Sequence, residues 1–259
     1  MVSVCFGGTF SVLHMGHKRL LKRSIALGDE IEIGITTDRL ARKMCKSHEI
    51  KKYEDRVSSL MNFVKSLDLE GKKVTTLELE NLYGPTLTRD YDYITVSPET
   101  RPTAVAINKI RMAEGKRPIR IVLTPFVLAK DFLPISVTRI LKGEIDEDGE
   151  LKVTFKAAIC GLDDHDLEAA IRGELGKLSN RVKLFTIEGP SKKDPISTAI
   201  SGAIKASNGM TLGIGFGFSD STYCAVVDGT GAISLVLSSN PEEGFRKVMK
   251  KKIGSLEGG

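Results

Sequence analysis

Two histidines three residues apart, His14 and His17, stand in the stretch Cys5-Phe6-Gly7-Gly8-Thr9-Phe10-Ser11-Val12-Leu13-His14-Met15-Gly16-His17. At the start of a helix, such a pair projects to one side. Both imidazoles can there donate hydrogen bonds to a phosphate, helped by the unpaired amides of the first turn and the positive end of the helix dipole. Gly7 and Gly8 lack Cβ atoms and are expected to turn the chain so that backbone approaches the ligand closely. The chemistry implied is the holding of an anion. Two other readings stay open on these residues alone. The histidines could pack or cap, or they could bind a metal, although no third ligand lies at a useful spacing. The pattern is neither a Walker loop, since no Gly-Lys-Ser/Thr follows, nor the three-glycine dinucleotide fingerprint.

A second group reads Pro134-Ile135-Ser136-Val137-Thr138-Arg139-Ile140. The hydroxyls of Ser136 and Thr138 and the guanidinium of Arg139, at a helix start, form a phosphate grip or, more plainly, a helix cap. Two anion sites on one sheet edge suit a nucleoside triphosphate, with its α-phosphate at the histidines and its β,γ-phosphates at Arg139. Between the two groups lies the basic run Arg42-Lys43-Met44-Cys45-Lys46, either a solvated face or a hold on substrate phosphate. Arg56 is either a structural ion pair or a substrate contact.

These residues need a scaffold, and the periodicities supply one. Val2–Phe6 reads as a buried strand, then a helix runs from the histidines to Leu27 and stops at Gly28. Glu30–Thr36 alternates as a second strand, which makes the unit β–α–β and the sheet parallel. Ligands in such sheets bind beyond the carboxyl ends of the strands, where Gly7–His17 falls. Tyr53–Leu67 is helical with a core face. Val74–Leu79, Tyr93–Val96 and Ile119–Leu123 are further strands, and a helix runs from Ala104 to Arg111. The acidic stretch Glu144–Glu150 marks the expected boundary between domains 1–149 and 150–259.

At 259 residues, 41% hydrophobic and 27% charged, the chain has the composition of a soluble globular protein. No apolar run approaches the roughly 18 residues needed to span a bilayer, and the start lacks a signal-peptide pattern, so a cytoplasmic location is expected. Cys5, Cys45, Cys160 and Cys224 are widely spaced, which fits reduced thiols rather than zinc or a disulfide framework. A net charge of +5 suits phosphate-rich ligands, while the lack of tryptophan argues against a base-stacking platform for nucleic acid.

From Val2 to about Asp146 the chain resembles the archaeal-type phosphopantetheine adenylyltransferases of the HxGH nucleotidyltransferase superfamily. The resemblance rests on Gly7-Gly8-Thr9-Phe10 with His14-Met15-Gly16-His17, Thr37-Asp38 with Arg42-Lys43, and Tyr53-Glu54-Asp55-Arg56. Further matches are Tyr83-Gly84-Pro85-Thr86, Val96-Ser97-Pro98-Glu99-Thr100, Ile107-Asn108-Lys109-Ile110-Arg111 and Ile135-Ser136-Val137-Thr138-Arg139-Ile140. Ser11 departs from the family's aspartate after Gly-Thr-Phe, and Val137 replaces its second serine. The resemblance implies an α/β Rossmann-like, doubly wound parallel sheet followed by a second, smaller α/β domain. It implies transfer of AMP from ATP to 4′-phosphopantetheine, with Mg²⁺ arriving on ATP and no metal held by the protein. His14, His17 and Thr9 would be catalytic. Gly7, Gly8, Thr9, Phe10, His17, Ser136, Thr138 and Arg139 would bind ATP, and Lys43 and Arg111 the acceptor phosphate. The partners implied are these substrates, with no nucleic acid or membrane and with room for a homo-oligomer. Alternative acceptors within the same chemistry are flavin mononucleotide, nicotinamide mononucleotide and glycerol phosphate.

After the boundary the strand–helix pattern restarts, and this half is weakly similar to the inosine/xanthosine triphosphatase-like family. That family's Gly-Ile-Glu-x-Gly strand reads Gly213-Ile214-Gly215-Phe216-Gly217 here, and Cys160-Gly161-Leu162-Asp163-Asp164 stands at its opening turn. Lacking the family's metal-binding carboxylates, the half is expected to be non-catalytic; the alternative is a bifunctional protein whose second half hydrolyses non-standard purine triphosphates. The glycines read as close packing rather than a phosphate loop. Asp163-Asp164-His165-Asp166 reads as a helix start more than a metal cluster, and Lys247 and Lys250–Lys252 as a solvated helix end.

Overall fold

A computed structural model of the chain describes residues 1–44, 50–160, 165–190 and 194–257. Cys45, Lys46, Gly161–Asp164 and Ser191 lie outside the described residues. The chain forms two compact units, 1–127 with 136–141, and 128–135 with 142–259.

The first unit is a five-stranded parallel sheet in the order β3-β2-β1-β4-β5: β1 (Ser3–Gly8), β2 (Glu30–Thr36), β3 (Lys73–Leu79), β4 (Tyr93–Val96) and β5 (Arg120–Leu123). The helices are α1 (Met15–Leu27), α2 (Asp38–Met44), α3 (Tyr53–Lys65), α4 (Arg101–Ala113) and α5 (Val137–Leu141), with a 3₁₀ turn at Gly84–Leu87. Alternation along the strands builds two cores. Val4, Phe6, Ile31, Ile33 and Ile35 face Leu21, Leu60 and Val64 of α1 and α3, while Cys5, Ile94 and Val96 face Ala104 and Ile107 of α4. The sheet is therefore doubly wound, and its order reverses between β1 and β4, where a crevice opens at the carboxyl edge.

One expectation changes here. Gly7 and Gly8 do not turn the chain; they are the last residues of β1. Gly7 pairs with Gly34, and the side chain of Leu79 leans into the space both leave, 2.9 Å and 2.8 Å from where a Cβ would stand. The turn itself falls on Thr9–Leu13.

The second unit holds a mixed sheet in the order β10-β9-β8-β6-β7. Its strands are β6 (Phe155–Cys160), β7 (Val182–Ile187), β8 (Leu212–Phe218), β9 (Thr222–Asp228) and β10 (Ile233–Ser238). Beta6 is parallel to β7 and β8, and β8, β9 and β10 form the expected antiparallel meander. Helices α6 (His165–Gly176) and α8 (Pro241–Glu257) pack on one face, where Phe155, Leu167, Ile214, Phe245 and Val248 meet. Helix α7 (Pro195–Ser207) covers the other face through Ala199 and Ala203. Lys252 corrects the reading of a solvated helix end. It is buried, with Nζ 2.5 Å from Asp228 Oδ2 and 5.5 Å from the centre of the Phe132 ring.

Beta8 and α7 touch backbone to backbone. A Cβ on Gly213, Gly215 or Gly217 would stand 2.2, 2.1 or 1.8 Å from the carbonyl oxygens of Ala203, Ala199 and Pro195. Gly215→Ala must push α7 off the sheet, at a cost of about 1–3 kcal/mol for an overpacked core. Urea unfolding followed by circular dichroism should show a lower midpoint for this variant; an unchanged midpoint would contradict the packing.

Candidate active site

The turn after β1 is held from outside by one side chain. Arg56, on the first turn of α3, is 1% exposed. Its NH1 donates to the Thr9 carbonyl at 2.7 Å, its NH2 to the Thr36 carbonyl and to Asp38 Oδ1, both at 2.8 Å, and its Nε to the Lys51 carbonyl at 3.0 Å. The guanidinium thus ties the carboxyl ends of β1 and β2 to α2 and α3. Thr36 Oγ1 also donates to Thr9 Oγ1 at 3.3 Å. Within the turn Phe10 has φ +52°, a left-handed conformation that costs a bulky residue of order 1–3 kcal/mol. Its ring offsets this by packing edge-on against Phe6 and His17, at centroid distances of 6.2 and 5.0 Å.

His14 is the N-cap of α1, and its Nδ1 accepts from the Gly16 amide at 3.1 Å. The neutral ring therefore carries its proton on Nε2. His17 has the opposite arrangement: Nδ1 donates to the Val12 carbonyl at 3.1 Å, which leaves a lone pair on Nε2. The rings stack 3.9 Å apart. Burial, and then the nearby positive charges of His17 and Lys18, lower the His14 pKa from 6.5 to about 3. Burial likewise lowers His17 to about 4, against the opposing pull of the Val12 carbonyl. The site thus presents one imidazole donor and one acceptor, both uncharged. A polyanion beside them favours protonation and turns both into donors.

Beside the turn, between the sheet and the 3₁₀ segment and α4, lies a cavity of about 150 Å³. Its wall includes Gly7 and Gly8, which lead into the turn, and Thr36, which hydrogen-bonds Thr9 in it, while Leu77, Ile94 and Ile107 make it apolar. Deeper in, Glu32 accepts from the Tyr91 hydroxyl and, at 2.9 Å, from Arg89 NH1.

The structure brings Gly7, Gly8, Thr9, Phe10, His14 and His17 together. Ser136, just before α5, and Thr138 and Arg139 on it belong to the same unit. Ser136 Oγ accepts from the Arg139 amide at 3.4 Å, so it caps the helix, and Thr138 is exposed. Lys43 is exposed on α2. Arg111 does not fit the acceptor role. It is 1% exposed, and its donors go to the carbonyls of Thr86, Arg89 and Arg117 and to Asp90 Oδ1 at 2.5 Å, so it fastens α4 to the loop before β4. The sequence leaves Arg56 open between an ion pair and a substrate contact; the structure makes it the clamp. The sequence assigns no role to Thr36, whose only signal is its place at the carboxyl end of a strand beside β1.

A cytidylyltransferase-like family model matches residues 5–143. A phosphopantetheine adenylyltransferase from Methanosarcina barkeri is 40% identical over 158 residues, covering 60% of this chain and 96% of that protein. One from Methanopyrus kandleri is 44% identical over 145 residues, covering 56% and 90%. A bifunctional phosphopantetheine adenylyltransferase/NTP phosphatase from Thermoplasma acidophilum is 32% identical over 255 residues, covering 91% of this chain and 76% of that protein.

Two outcomes follow from the geometry. Arg56→Lys keeps a charge but cannot reach all its acceptors, and each buried carbonyl left alone costs about 1–3 kcal/mol. The urea midpoint of the first unit should fall accordingly. Because both histidines bind protons less readily folded than unfolded, their contribution to stability is complete above pH 6.5 and is lost as pH falls towards about 3 to 4. His14→Asn and His17→Asn should each be less acid-sensitive than the parent across that window, measured as the difference in urea midpoint at successive pH values.

Proposed function

The chain belongs to the cytidylyltransferase-like family, and on that footing we propose that its first unit transfers AMP from ATP to 4′-phosphopantetheine, giving dephospho-coenzyme A and pyrophosphate. One observation carries this reading. The apolar cavity is walled by Gly7, Gly8 and Thr36, the strand ends next to the phosphate-holding turn, so a ligand can set its phosphate at the turn and lay a long, weakly polar arm into the cavity. Flavin, nicotinamide and glycerol phosphates lack such an arm. The relatives named phosphopantetheine adenylyltransferase support the same acceptor.

An acceptor phosphate oxygen attacks the α-phosphorus of ATP; the new P–O bond forms as the bond from that phosphorus to the α–β bridging oxygen breaks, and this oxygen leaves as a terminal oxygen of pyrophosphate. No side chain needs to become a nucleophile. The protein aligns two anions and stabilises the charge of the five-coordinate phosphorus. His14 donates through Nε2–H, and His17 through Nε2 once the triphosphate has raised its proton affinity. Thr9, fixed by Thr36 and the Arg56 clamp, positions the two substrates. Thr138 and Arg139 hold the leaving pyrophosphate, and Lys43 meets the acceptor phosphate. The turn from Gly7 to His17 contains no carboxylate, and Asp38 is held by Arg56, so Mg²⁺ belongs to the substrate MgATP. When bound, it neutralises phosphate charge. Among the described residues no helix is long and apolar enough to cross a membrane; the proposed use of ATP as substrate supports a cytoplasmic location.

For 150–259 the reading we propose is the non-catalytic one. The place of the triphosphatase family's glutamate is Gly215, and with Ala199 O 2.1 Å from its would-be Cβ there is no room for a carboxylate. The Thermoplasma relative's name favours the second reading, hydrolysis of nucleoside triphosphates. Incubation with ITP and XTP separates the two, since phosphate release from either would establish the hydrolase.

The main test is pyrophosphate release with ATP or CTP against 4′-phosphopantetheine, flavin mononucleotide, nicotinamide mononucleotide and glycerol phosphate. Turnover is expected with ATP and 4′-phosphopantetheine alone, and His17→Ala should lower it by 10²-fold or more, of the order seen when one transition-state donor is removed. Turnover with another acceptor overturns the substrate but keeps the mechanism.

A further inference from the structure

The cavity beside the turn contains a charge to which the reaction gives no role. Of the described residues that line it, Glu32 alone is charged. Along β2, Ile31, Ile33 and Ile35 pack towards α1 and α3, so Glu32, Gly34 and Thr36 face the cavity on the α4 side of the sheet. Thr36 stands beside the turn, and Glu32 lies four residues back along the strand. Cys5, its pairing partner on β1, and Tyr91 flank it in the wall.

A carboxylate among apolar side chains is costly unless it is paired. Glu32 Oε1 accepts from the Tyr91 hydroxyl, and Oε2 accepts from Arg89 NH1 at 2.9 Å. Arg89 is no part of the cavity wall, and its side chain is 62% exposed, so it holds the carboxylate from the solvent side. Burial, then the hydrogen bond to Glu32, pushes the Tyr91 hydroxyl well above its usual range, which keeps it a donor to the carboxylate. These two bonds use one lone pair on each oxygen and leave acceptor capacity for a ligand. Burial, and then the charge of Glu32, push the Cys5 thiol up to about 12, so it offers no thiolate to attack what binds there.

The depth of Glu32 matches an arm of defined length. At about 3.3 Å per residue, Thr36 and Glu32 stand about 13 Å apart along the strand. From its ester oxygen to its sulfur, the arm of 4′-phosphopantetheine has the main-chain bonds of four extended residues, about 14 Å. With the phosphate at the turn, the thiol arrives at Glu32. We propose that Glu32 selects the acceptor by its far end, accepting from a terminal S–H and excluding an arm that is negatively charged there. The proposal rests on the acceptor assigned above and adds a discrimination that the phosphate site cannot make. A carboxylate beside the thiol would set two like charges together in an apolar cavity.

Calorimetric titration of the full chain without ATP tests it, comparing 4′-phosphopantetheine with 4′-phosphopantothenoylcysteine, the same arm bearing that carboxylate. The parent protein should bind the second at least about 100-fold more weakly, as for like charges brought together in an interface. Glu32→Gln keeps the size and an acceptor oxygen but loses the charge, and should narrow the gap to less than about tenfold. Tyr91→Phe removes a partner of Glu32 but not its charge, and should keep the preference. If Glu32→Gln does not fold, as judged by its melting profile, Glu32→Met takes its place. A parent that binds both arms alike overturns the proposal and leaves the acceptor standing. So does a preference that survives loss of the Glu32 charge, or one that Tyr91→Phe abolishes. A parent that binds neither arm overturns the acceptor as well.

Discussion

The first unit depends on a buried cation. Arg56 is closed off from water, and its cost of burial is met by three backbone carbonyls and the carboxylate of Asp38. Two of those carbonyls end β1 and β2, so the guanidinium fixes the spacing of the strand ends that frame the turn. The strained Phe10 persists because the clamp on one side and the Phe6 and His17 rings on the other leave the backbone no alternative. Positioning of this kind is what in-line phosphoryl chemistry asks of a protein, because the reaction needs alignment more than a reactive group.

The histidines show how capping and function coincide. Packing or capping was one reading of the pair, and holding a phosphate another. The structure gives His14 a cap through Nδ1 and thereby aims Nε2 outward with its proton already in place. The cap sets the tautomer that the phosphate role requires.

The positions of the strands and helices along the chain and the His14–His17 turn were legible in the sequence because period-2 and period-3.6 patterns are local; the strand order was not. The buried arginines were less legible. Arg56 and Arg111 look alike as letters near helix ends, and both are 1% exposed, yet their acceptors come from segments 5 to 47 and 6 to 25 residues away. No local pattern shows where such acceptors converge. Lys252 was misread for the same reason: its partner Asp228 lies 24 residues upstream, across a strand and a turn. Gly7 and Gly8 were misplaced because a glycine needed for close approach and one needed for a turn are the same letter. Gly213, Gly215 and Gly217 were legible because they alternate inside an apolar run, which excludes a loop.

The two compact bodies are not consecutive along the chain. The polypeptide leaves the first body after Val127, returns as Ser136–Leu141, and leaves again at Lys142, while Phe132 between the two visits is buried in the second body's core. A cut at 149, just past the end of the stretch that matches the family model, would release a fragment still carrying Phe132 stripped of the core that buries it. The unit that the family model delimits, residues 5–143, and the unit that folds are different here. Exchange of the second half between relatives is therefore a problem of matching cores as well as of joining ends.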